Sequence, residues 1–275
     1  MFVSVIIITL NEIENIGTTI EHVHLAAQAP SGNKAPIEII ISDGGSTDGT
    51  LDIAERLADK VIKAPRGRFK QLNLGADNAK GDIFLFLHAD TLLPKYGILR
   101  IITRMKDPAI AGGGFKKIWN WTPTVERSSF LNFAVWFFKS MGNWLVRMFK
   151  TFPGDNAIYV RKEIYEKLNG YAPMWICEDF DFMLRLKKFC RKELIYNKGK
   201  EQKGRIAYIE SPVKTSTRRF ELYGFFRTVI QWFFIYWQWR LGMSQEHLKV
   251  RFNKYSTIPK KGNKHFFKFL KKSND

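Results

Sequence analysis

The sequence predicts an α/β protein with a mainly parallel central sheet and helices on both faces. Runs of β-branched and aromatic residues alternate with segments of helical spacing through the first half of the chain, which is typical of βαβ units. The run Ile83–Leu87 is apolar at every position, as expected for a strand that is covered on both faces. The chain has 275 residues, of which 45% are hydrophobic, and this is enough for a substantial core.

Each element of the N-terminal half follows from its own pattern. β-Branched and aromatic residues predict strands at Val3–Thr9, Ile37–Ile41, Val61–Lys63 and Ile83–Leu87. Apolar residues at helical spacing predict helices at Glu14–Ala27, Thr50–Ala58, Arg68–Ala79 and Leu92–Met105. A helix that connects two neighbouring strands makes them parallel, which gives the sheet its predicted direction.

The C-terminal half is less regular. Three glycines in the predicted strand Ala111–Phe115 indicate that another chain segment approaches closely. Phe130–Phe149 is rich in Phe and Trp, with basic residues interspersed. Short helices are predicted at Glu163–Leu168 and Phe180–Phe189, and one long helix or two over Leu222–Arg251.

Composition bounds the partners and the compartment. The formal net charge of +18, from 44 basic and 26 acidic residues, favours anionic partners: nucleotides, nucleic acid or an acidic membrane surface. No recognised nucleic-acid motif accompanies this charge, so nucleic acid is not expected as a partner. Cys177 and Cys190 form neither a disulfide framework nor a zinc pattern. The chain shows no signal peptide and no apolar run of the roughly 20 residues that a membrane span needs, so we expect a cytoplasmic protein.

An acidic, glycine-rich turn, Ser42–Thr50, follows the second predicted strand and opens a helix. Ligands of open α/β sheets bind at such strand ends. Asp43 can accept hydrogen bonds from a base or a ribose, but it repels a bare phosphate. The turn has neither the Lys-Ser/Thr of a P-loop nor the dinucleotide fingerprint. A helix cap with turn glycines explains the same residues equally well, and both interpretations stay open at this point.

His88-Ala89-Asp90 follows the most hydrophobic strand. Alternation puts His88 and Asp90 on the same side of the chain. The carboxylate of Asp90 suits Mg²⁺ or Mn²⁺, which would bind phosphate oxygens, and His88 would join the ligands or donate to a phosphate. The alternative is that Asp90 and Thr91 cap the next helix while His88 is a buried imidazole.

Two further groups of charged residues are candidates. Glu178-Asp179 precedes an apolar helical segment. These acids either stabilise the N-terminus of that helix or supply a general base with a raised pKa. Asp155 is the nearest alternative for the general base. The candidates for binding an anion are a cluster around the helix that starts at Arg68 and a pair of residues far along the chain. A solvated face is the usual role of such residues. These candidates are Arg66, Arg68, Lys70, Gln71 and Asn73, with Arg218 and Arg219 as the second pair.

Three separated segments together resemble family 2 glycosyltransferases of the GT-A fold. They are the opening strand Val3–Glu12 with its Asn-Glu ending, the turn Asp43–Thr50, and Glu178-Asp179. Gly67–Asp82 and Gly154–Arg161 extend the likeness, which covers roughly residues 3–220. Within the family the chain looks closest to a small bacterial subgroup with a Leu-His-Ala-Asp motif. His88 stands where the family's Asp-x-Asp metal motif has its first Asp.

The resemblance implies an inverting, metal-dependent glycosyltransferase that moves one sugar from a UDP- or GDP-linked donor to an acceptor hydroxyl. Single addition is implied because the Gln-x-x-Arg-Trp motif of processive synthases is missing. Asp179, with Glu178, would be catalytic, and Asp90 with His88 would bind Mn²⁺ or Mg²⁺. The implied donor-binding residues are Thr9, Asn11, Glu12, Asp43, Gly45, Arg68, Lys70, Gln71, His88 and Ala89. The acceptor or phosphate candidates are Asp155, Arg218 and Arg219. A catalytically silent sugar-nucleotide-binding protein and a basic nucleic-acid-binding protein are the alternatives.

The expected domains are a GT-A domain over residues 1–220, an aromatic helical extension over 221–255 and a basic tail over 256–275. Residues 1–110 would bind the nucleotide sugar, and residues 111–220 would supply the acceptor and catalytic half. Aromatic residues cover nearly every side of the extension, so that helix must be buried, paired or laid in a membrane interface. A homodimer, or a peripheral position on the inner face of the cell membrane with a lipid-linked acceptor, is therefore expected.

Overall fold

The computed structural model describes residues 1–120, 129–197 and 200–256. The chain divides into two compact units, Met1–Thr217 and Arg218–Asp275. From residue 257 onward, the predicted basic tail lies outside the described residues.

The first unit contains ten strands and seven α-helices within the described residues. The strands are β1 (Val3–Thr9), β2 (Ile37–Asp43), β3 (Lys60–Lys63), β4 (Ile83–His88), β5 (Thr91–Leu92), β6 (Ile110–Trp119), β7 (Tyr159–Arg161), β8 (Leu194–Asn197), β9 (Lys200–Lys203) and β10 (Arg205–Thr215). The helices are α1 (Ile13–Ala27), α2 (Thr50–Leu57), α3 (Arg68–Asp77), α4 (Gly97–Met105), α5 (Ser129–Phe149), α6 (Lys162–Lys167) and α7 (Glu178–Lys192). A 3₁₀ turn at Gly154–Asn156 precedes β7.

Eight strands form one sheet in the order β3-β2-β1-β4-β7-β6-β10-β5. The β1–β2, β1–β4, β2–β3 and β6–β10 pairs are parallel, whereas β7 and β5 pair in the antiparallel direction. The mainly parallel α/β fold is therefore confirmed. The register pairs Thr9 with Asp43 and Ile8 with His88, so β1, β2 and β4 end at one edge of the sheet.

The two faces of this sheet carry separate cores. Every residue of β1 is buried, and its side chains alternate between the faces. Val5 and Ile7 pack in the core that includes residues of α1 and α4. Ile6 and Ile8 pack in the opposite core with residues of α3, α6 and α7. The sheet is thus covered on both faces, which is why its central strands are apolar throughout.

The glycines of β6 allow the close approach that their sequence predicts. A Cβ atom on Gly112 would lie 2.4 Å from the carbonyl oxygen of Tyr159, and one on Gly113 would lie 2.1 Å from that of Ala207. Gly114 faces the ring of Phe152, whose Cδ1 would lie 2.5 Å from such a Cβ. No side chain fits at these three positions between β7, β10 and Phe152.

The predicted helix Leu92–Met105 starts too early. Residues Thr91–Leu92 form the short strand β5, which pairs with the end of β10, and α4 begins only at Gly97. Pro94 removes an N–H donor, and Tyr96 has a left-handed backbone with φ of 64°, so the turn before α4 cannot be helical. The sequence prediction also missed β10, whose mixed polar and apolar residues resemble a loop.

The second unit is helical in its described part. It contains α8 (Arg218–Tyr223), α9 (Phe225–Arg240) and α10 (Gln245–Ser256). Of the predicted one long helix or two over Leu222–Arg251, the structure has two, α9 and α10, because Gly242 adopts a φ of 83° and interrupts the helical path. Gly224, with a φ of 84°, separates α8 from α9. Within the described residues, no helix is long and apolar enough to cross a membrane.

The contact at Gly113 predicts a large loss of stability for Gly113→Ala. Because the added methyl would overlap the Ala207 carbonyl, the strands must separate, and we expect a loss of about 2–4 kcal/mol in the free energy of unfolding. Gly142→Ala in α5 is the control, since a Cβ there meets nothing within 4 Å and alanine favours a helix by about 0.5–1 kcal/mol. Urea unfolding of both variants measures the difference. Equal stabilities would contradict the close packing of β6 against β10.

Candidate active site

Asp43 organises the turn after β2. Its side chain is fully buried at the end of the strand. The Oδ2 atom accepts the backbone N–H groups of Gly45 and Ser46, both at 2.9 Å, and Oδ1 accepts the Ser46 hydroxyl. Gly45 has φ of 95°, a conformation that glycine adopts without strain. The carboxylate therefore fixes the shape of the turn itself, which is the structural role that the sequence left open beside ligand binding.

The Asn11-Glu12 loop is joined to the same turn. The Asn11 N–H donates to the Ser46 hydroxyl, and the Asn11 Oδ1 accepts the Thr47 N–H, both at 2.9 Å. The Glu12 N–H donates to the Thr50 hydroxyl at 2.9 Å. Two of the segments that the sequence singled out are thus brought side by side at the carboxyl edge of the sheet.

Gln71 holds the ends of β1 and β2 together. Its side chain is buried, and its Nε2 donates to the Thr9 carbonyl at 2.8 Å and to the Ser42 carbonyl at 2.9 Å. Gln71 is predicted to bind the sugar donor, but its amide nitrogen is already hydrogen-bonded to the ends of β1 and β2. The Thr9 hydroxyl, in contrast, is buried without a hydrogen-bond partner among the described residues.

A second cluster forms around Gly154, at the end of β4. The Asp179 Oδ2 accepts the Gly154 N–H, and the Asp179 Oδ1 accepts the Phe180 N–H at 2.8 Å. A Cβ on Gly154 would lie 2.8 Å from His88 Nε2 and 3.3 Å from Asp179 Oδ2. His88, Gly154 and Asp179 therefore meet although they are far apart in the chain. The cavity beside them is lined by Leu72, Phe86, Leu87, His88, Gly154, Tyr171, Glu178 and Asp179.

Glu178 is a buried acid with an incomplete set of partners. Its residue is only 2% exposed, and its Oε1 lies 3.6 Å from the Arg68 Nη1. The Oε2 atom is buried and has no hydrogen-bond partner among the described residues. Burial raises the pKa of Glu178 to about 7, against the opposing charge of Arg68 and with help from Asp179. Burial also raises the pKa of Asp179, although the Gly154 N–H and Arg68 oppose it.

Arg68 is the cation of this acidic cluster. Burial works against its charge, but the fields of Glu178, Asp179, Asp155 and Asp90 together raise its pKa. Four carboxylates from three segments of the chain therefore act on one guanidinium. The Lys70 Nζ lies 5.5 Å from the ring centre of Trp175.

Asp155 has a partner that the sequence did not suggest. The Lys117 Nζ donates to both oxygens of Asp155, at 3.0 and 2.8 Å. Lys117 lies on β6, directly after Lys116, and such lysines in a strand give no signal beyond a solvent-facing position.

Asn73 anchors the segment that leads to Glu178. Its Nδ2 donates to the Tyr171 carbonyl at 2.9 Å. Its Oδ1 accepts the Tyr165 hydroxyl at 2.7 Å and the Tyr171 N–H at 2.9 Å. The sequence marked Asn73 only as part of a polar cluster, and nothing local indicated a partner so distant in the chain.

Of the two residues predicted to bind a cation, His88 is the last residue of β4 and Asp90 lies just beyond it. Ala89 is buried, and its carbonyl accepts the Thr19 hydroxyl at 2.6 Å, so the backbone before Asp90 is fixed. Within residues 1–120, 129–197 and 200–256, no three His, Cys, Asp or Glu side chains are grouped so as to hold a metal ion. Mg²⁺ commonly takes one or two carboxylates and completes its shell with substrate phosphates and water, and Asp90 fits that role. Arg218 and Arg219 lie at the start of α8 in the second unit, and their role stays a prediction.

The fold and these residues define a member of a known enzyme family. The model of glycosyl transferase family 2 matches residues 4–169, and the chain belongs to that family.

Solved structures share the GT-A fold at low identity. TarS 1–349 of S. aureus with UDP-GlcNAc has 17% identity and a TM-score of 0.55 over 79% of this chain and 59% of that one. Glucosyl-3-phosphoglycerate synthase of Mycobacterium tuberculosis, with Mn²⁺, UDP and phosphoglyceric acid, has 18% identity and a TM-score of 0.52 over 95% and 80%. Mannosyltransferase PcManGT of Pyrobaculum calidifontis, with GDP-Man and Mn²⁺, has 19% identity and a TM-score of 0.51 over 77% and 56%. The chain thus spans less than two thirds of TarS 1–349.

The burial of Glu178 predicts a pH-dependent stability. Because the folded-state pKa is raised from 4.5 to about 7, stability is lost as the pH rises through that range. Glu178→Gln removes this loss, which amounts to at most about 3 kcal/mol. We expect the Tm of Glu178→Gln minus the Tm of the parent to be several degrees higher at pH 8 than at pH 5. The exposed Glu166→Gln is the control, with no such change. A Tm difference for Glu178→Gln that is equal at both pH values would contradict the raised pKa.

Proposed function

We propose that this protein is an inverting, metal-dependent glycosyltransferase that transfers one sugar from a UDP- or GDP-sugar to an acceptor hydroxyl. The observation that carries the proposal is the meeting of His88, Gly154 and Asp179 beside a cavity at the end of β4. Asp43 ends β2 at the same sheet edge as His88. Membership of glycosyl transferase family 2 supports the same reaction class.

The nucleoside end of the donor would bind at the turn after β2. Asp43 and Gly45 shape this turn, and Asn11 and Glu12 border it through the hydrogen bonds to Ser46 and Thr50. The unpartnered Thr9 hydroxyl at the same edge is a further contact for the base or the ribose. Because the loops hold one another, the pocket would be formed before the donor arrives, which lowers the ordering cost of binding.

The diphosphate would lie towards Asp90 and Arg68. A divalent cation held by Asp90, with His88 beside it, would neutralise the charge that develops on the leaving diphosphate. Arg68 adds a positive charge within a group of carboxylates that would otherwise repel the phosphates. The Mn²⁺ in the M. tuberculosis and P. calidifontis enzymes supports a cation in this family.

Asp179 would act as the general base. The acceptor oxygen attacks the anomeric carbon from the side opposite the nucleoside diphosphate, so the new C–O bond forms as the old one breaks and the configuration inverts. Asp179 takes the hydroxyl proton. Its backbone donors hold the carboxylate in place, while burial makes it more basic than an exposed aspartate. Glu178 would position Arg68 through their contact of 3.6 Å.

The acceptor half of the site would include Asp155. Asp155 lies within the 3₁₀ turn and is held by Lys117, so it presents a fixed carboxylate. The net charge of +18 supports an anionic surface as a partner, and a lipid-linked acceptor would then be reached at the membrane. Dimerisation through the aromatic helices is the competing proposal for the extension.

Asp179→Asn should nearly abolish transfer, because the amide cannot accept the proton. The expected loss in kcat is about 10²–10⁴-fold, while donor affinity stays within a few-fold. The measurement is nucleoside diphosphate release from a panel of UDP- and GDP-sugars with candidate acceptors. Asp181→Asn is the matched control, since Asp181 pairs with Arg185 on the same helix at 2.7 Å and should retain activity. Turnover of Asp179→Asn close to that of the parent would show that another group is the base.

Asp90→Ala should remove the metal-dependent part of nucleotide binding. Ligands that bind the folded state raise Tm, so UDP or GDP with Mn²⁺ should stabilise the parent more than the nucleotide alone. In Asp90→Ala, thermal shifts with and without Mn²⁺ should coincide. The exposed Asp77→Ala, at the end of α3, should respond as the parent does. An undiminished Mn²⁺ effect in Asp90→Ala would exclude Asp90 as the ligand.

A further inference from the structure

Helix α5 (Ser129–Phe149) turns large apolar side chains outward. Six of its described residues are large, apolar and more than half exposed: Phe130, Phe133, Trp136, Trp144, Met148 and Phe149. Most water-facing helices show polar residues on that face. Contiguous exposed apolar surface of this kind marks an interaction site.

The orientation of α5 is fixed by its other side. Ala134 and Val135 are buried. The Asn143 side chain is tied to β6, because its Oδ1 accepts the Lys117 N–H at 3.0 Å and its Nδ2 donates to the Lys117 carbonyl at 2.7 Å. The helix cannot rotate its aromatic face inward without breaking these hydrogen bonds. The outward face, defined by the six residues above, is therefore a constant feature of the first unit.

The charges around this face identify its partner. Helix α5 contains no acidic residue, and it carries Lys139 and Arg147. At its C-terminal end, the Lys187 Nζ donates to the Phe149 carbonyl at 2.7 Å, and Lys150 follows directly. Glu210 pairs with one member of this group, Arg147, at 3.2 Å. An apolar helix face rich in Trp and Phe with basic residues beside it suits the interface of an anionic bilayer.

We infer that the outward face of α5 docks on an anionic lipid bilayer, with the helix lying in the plane of the headgroups. The attachment would be peripheral, because the helix lies along the surface of the bilayer. A second copy of the chain is less suitable, because two such faces would bring like charges together. The inference does not depend on the transfer reaction, and it concerns a different element from the aromatic extension.

Vesicle flotation of the full chain tests the inference. The probes are phosphatidylcholine vesicles with and without phosphatidylglycerol, at physiological salt. We expect the parent to float with the anionic vesicles and far less with the neutral ones. The double variant Phe133→Gln/Trp144→Gln should lower the partition coefficient about tenfold or more, because two aromatic contacts with the acyl region are lost. The matched control is Phe233→Gln/Trp237→Gln, which removes two comparably exposed aromatic residues from α9.

Unchanged thermal unfolding verifies that the α5 variant is folded. If that variant does not fold, Phe130→Ser/Met148→Ser is tested in its place. Stronger loss of flotation in the α5 variant than in the α9 control supports the inference. Four results would overturn it: a parent that stays soluble, an α5 variant that floats like the parent, an α9 control that loses flotation as much as the α5 variant, or a parent dimer in light scattering that the α5 substitutions dissociate. None of these depends on activity, so they are distinguishable from failure of the proposed reaction.

Discussion

The candidate site depends on the parallel register of β1 with β2 and β4. Because β1 lies between two parallel neighbours, residues at the ends of all three strands come to one edge. Thr9 is the register partner of Asp43, and His88 pairs with Ile8, one position before Thr9. Gln71 reinforces the arrangement from α3 by donating to the carbonyls of Thr9 and Ser42. A slip of one residue would turn these side chains to the wrong face.

The second determinant is the balance of charge around Arg68. Carboxylates that are buried together repel one another and favour the protonated form. One guanidinium within reach of Glu178 reduces that cost, and the Gly154 N–H does the same for Asp179. The Arg68 guanidinium and the Gly154 N–H thus offset part of the cost of burying these carboxylates. Carboxylates whose pKa values are shifted in this way are common at functional positions.

Much of the fold was predictable because strands covered on both faces have a clear signature. Val3–Thr9 matches the observed strand, and the acidic turn and Glu178-Asp179 were recognised as candidates. The contacts of Lys117 and Asn73 were not predictable, since each depends on a partner that only the tertiary fold brings near. The late start of α4 was missed because apolar spacing outweighed Pro94. The outward face of α5 was also hidden, because composition alone does not distinguish a buried aromatic helix from an exposed one.

Asn73 joins two parts of the chain that the sequence would divide into separate halves. Its side chain, on α3, holds Tyr165 and Tyr171, which precede α7 in the chain. The halves are therefore not modules that evolution or an engineer can exchange freely. A chimaera that takes residues 1–110 from one relative and the remainder from another must keep this amide and its two tyrosine partners, or the carboxylates will lose their support.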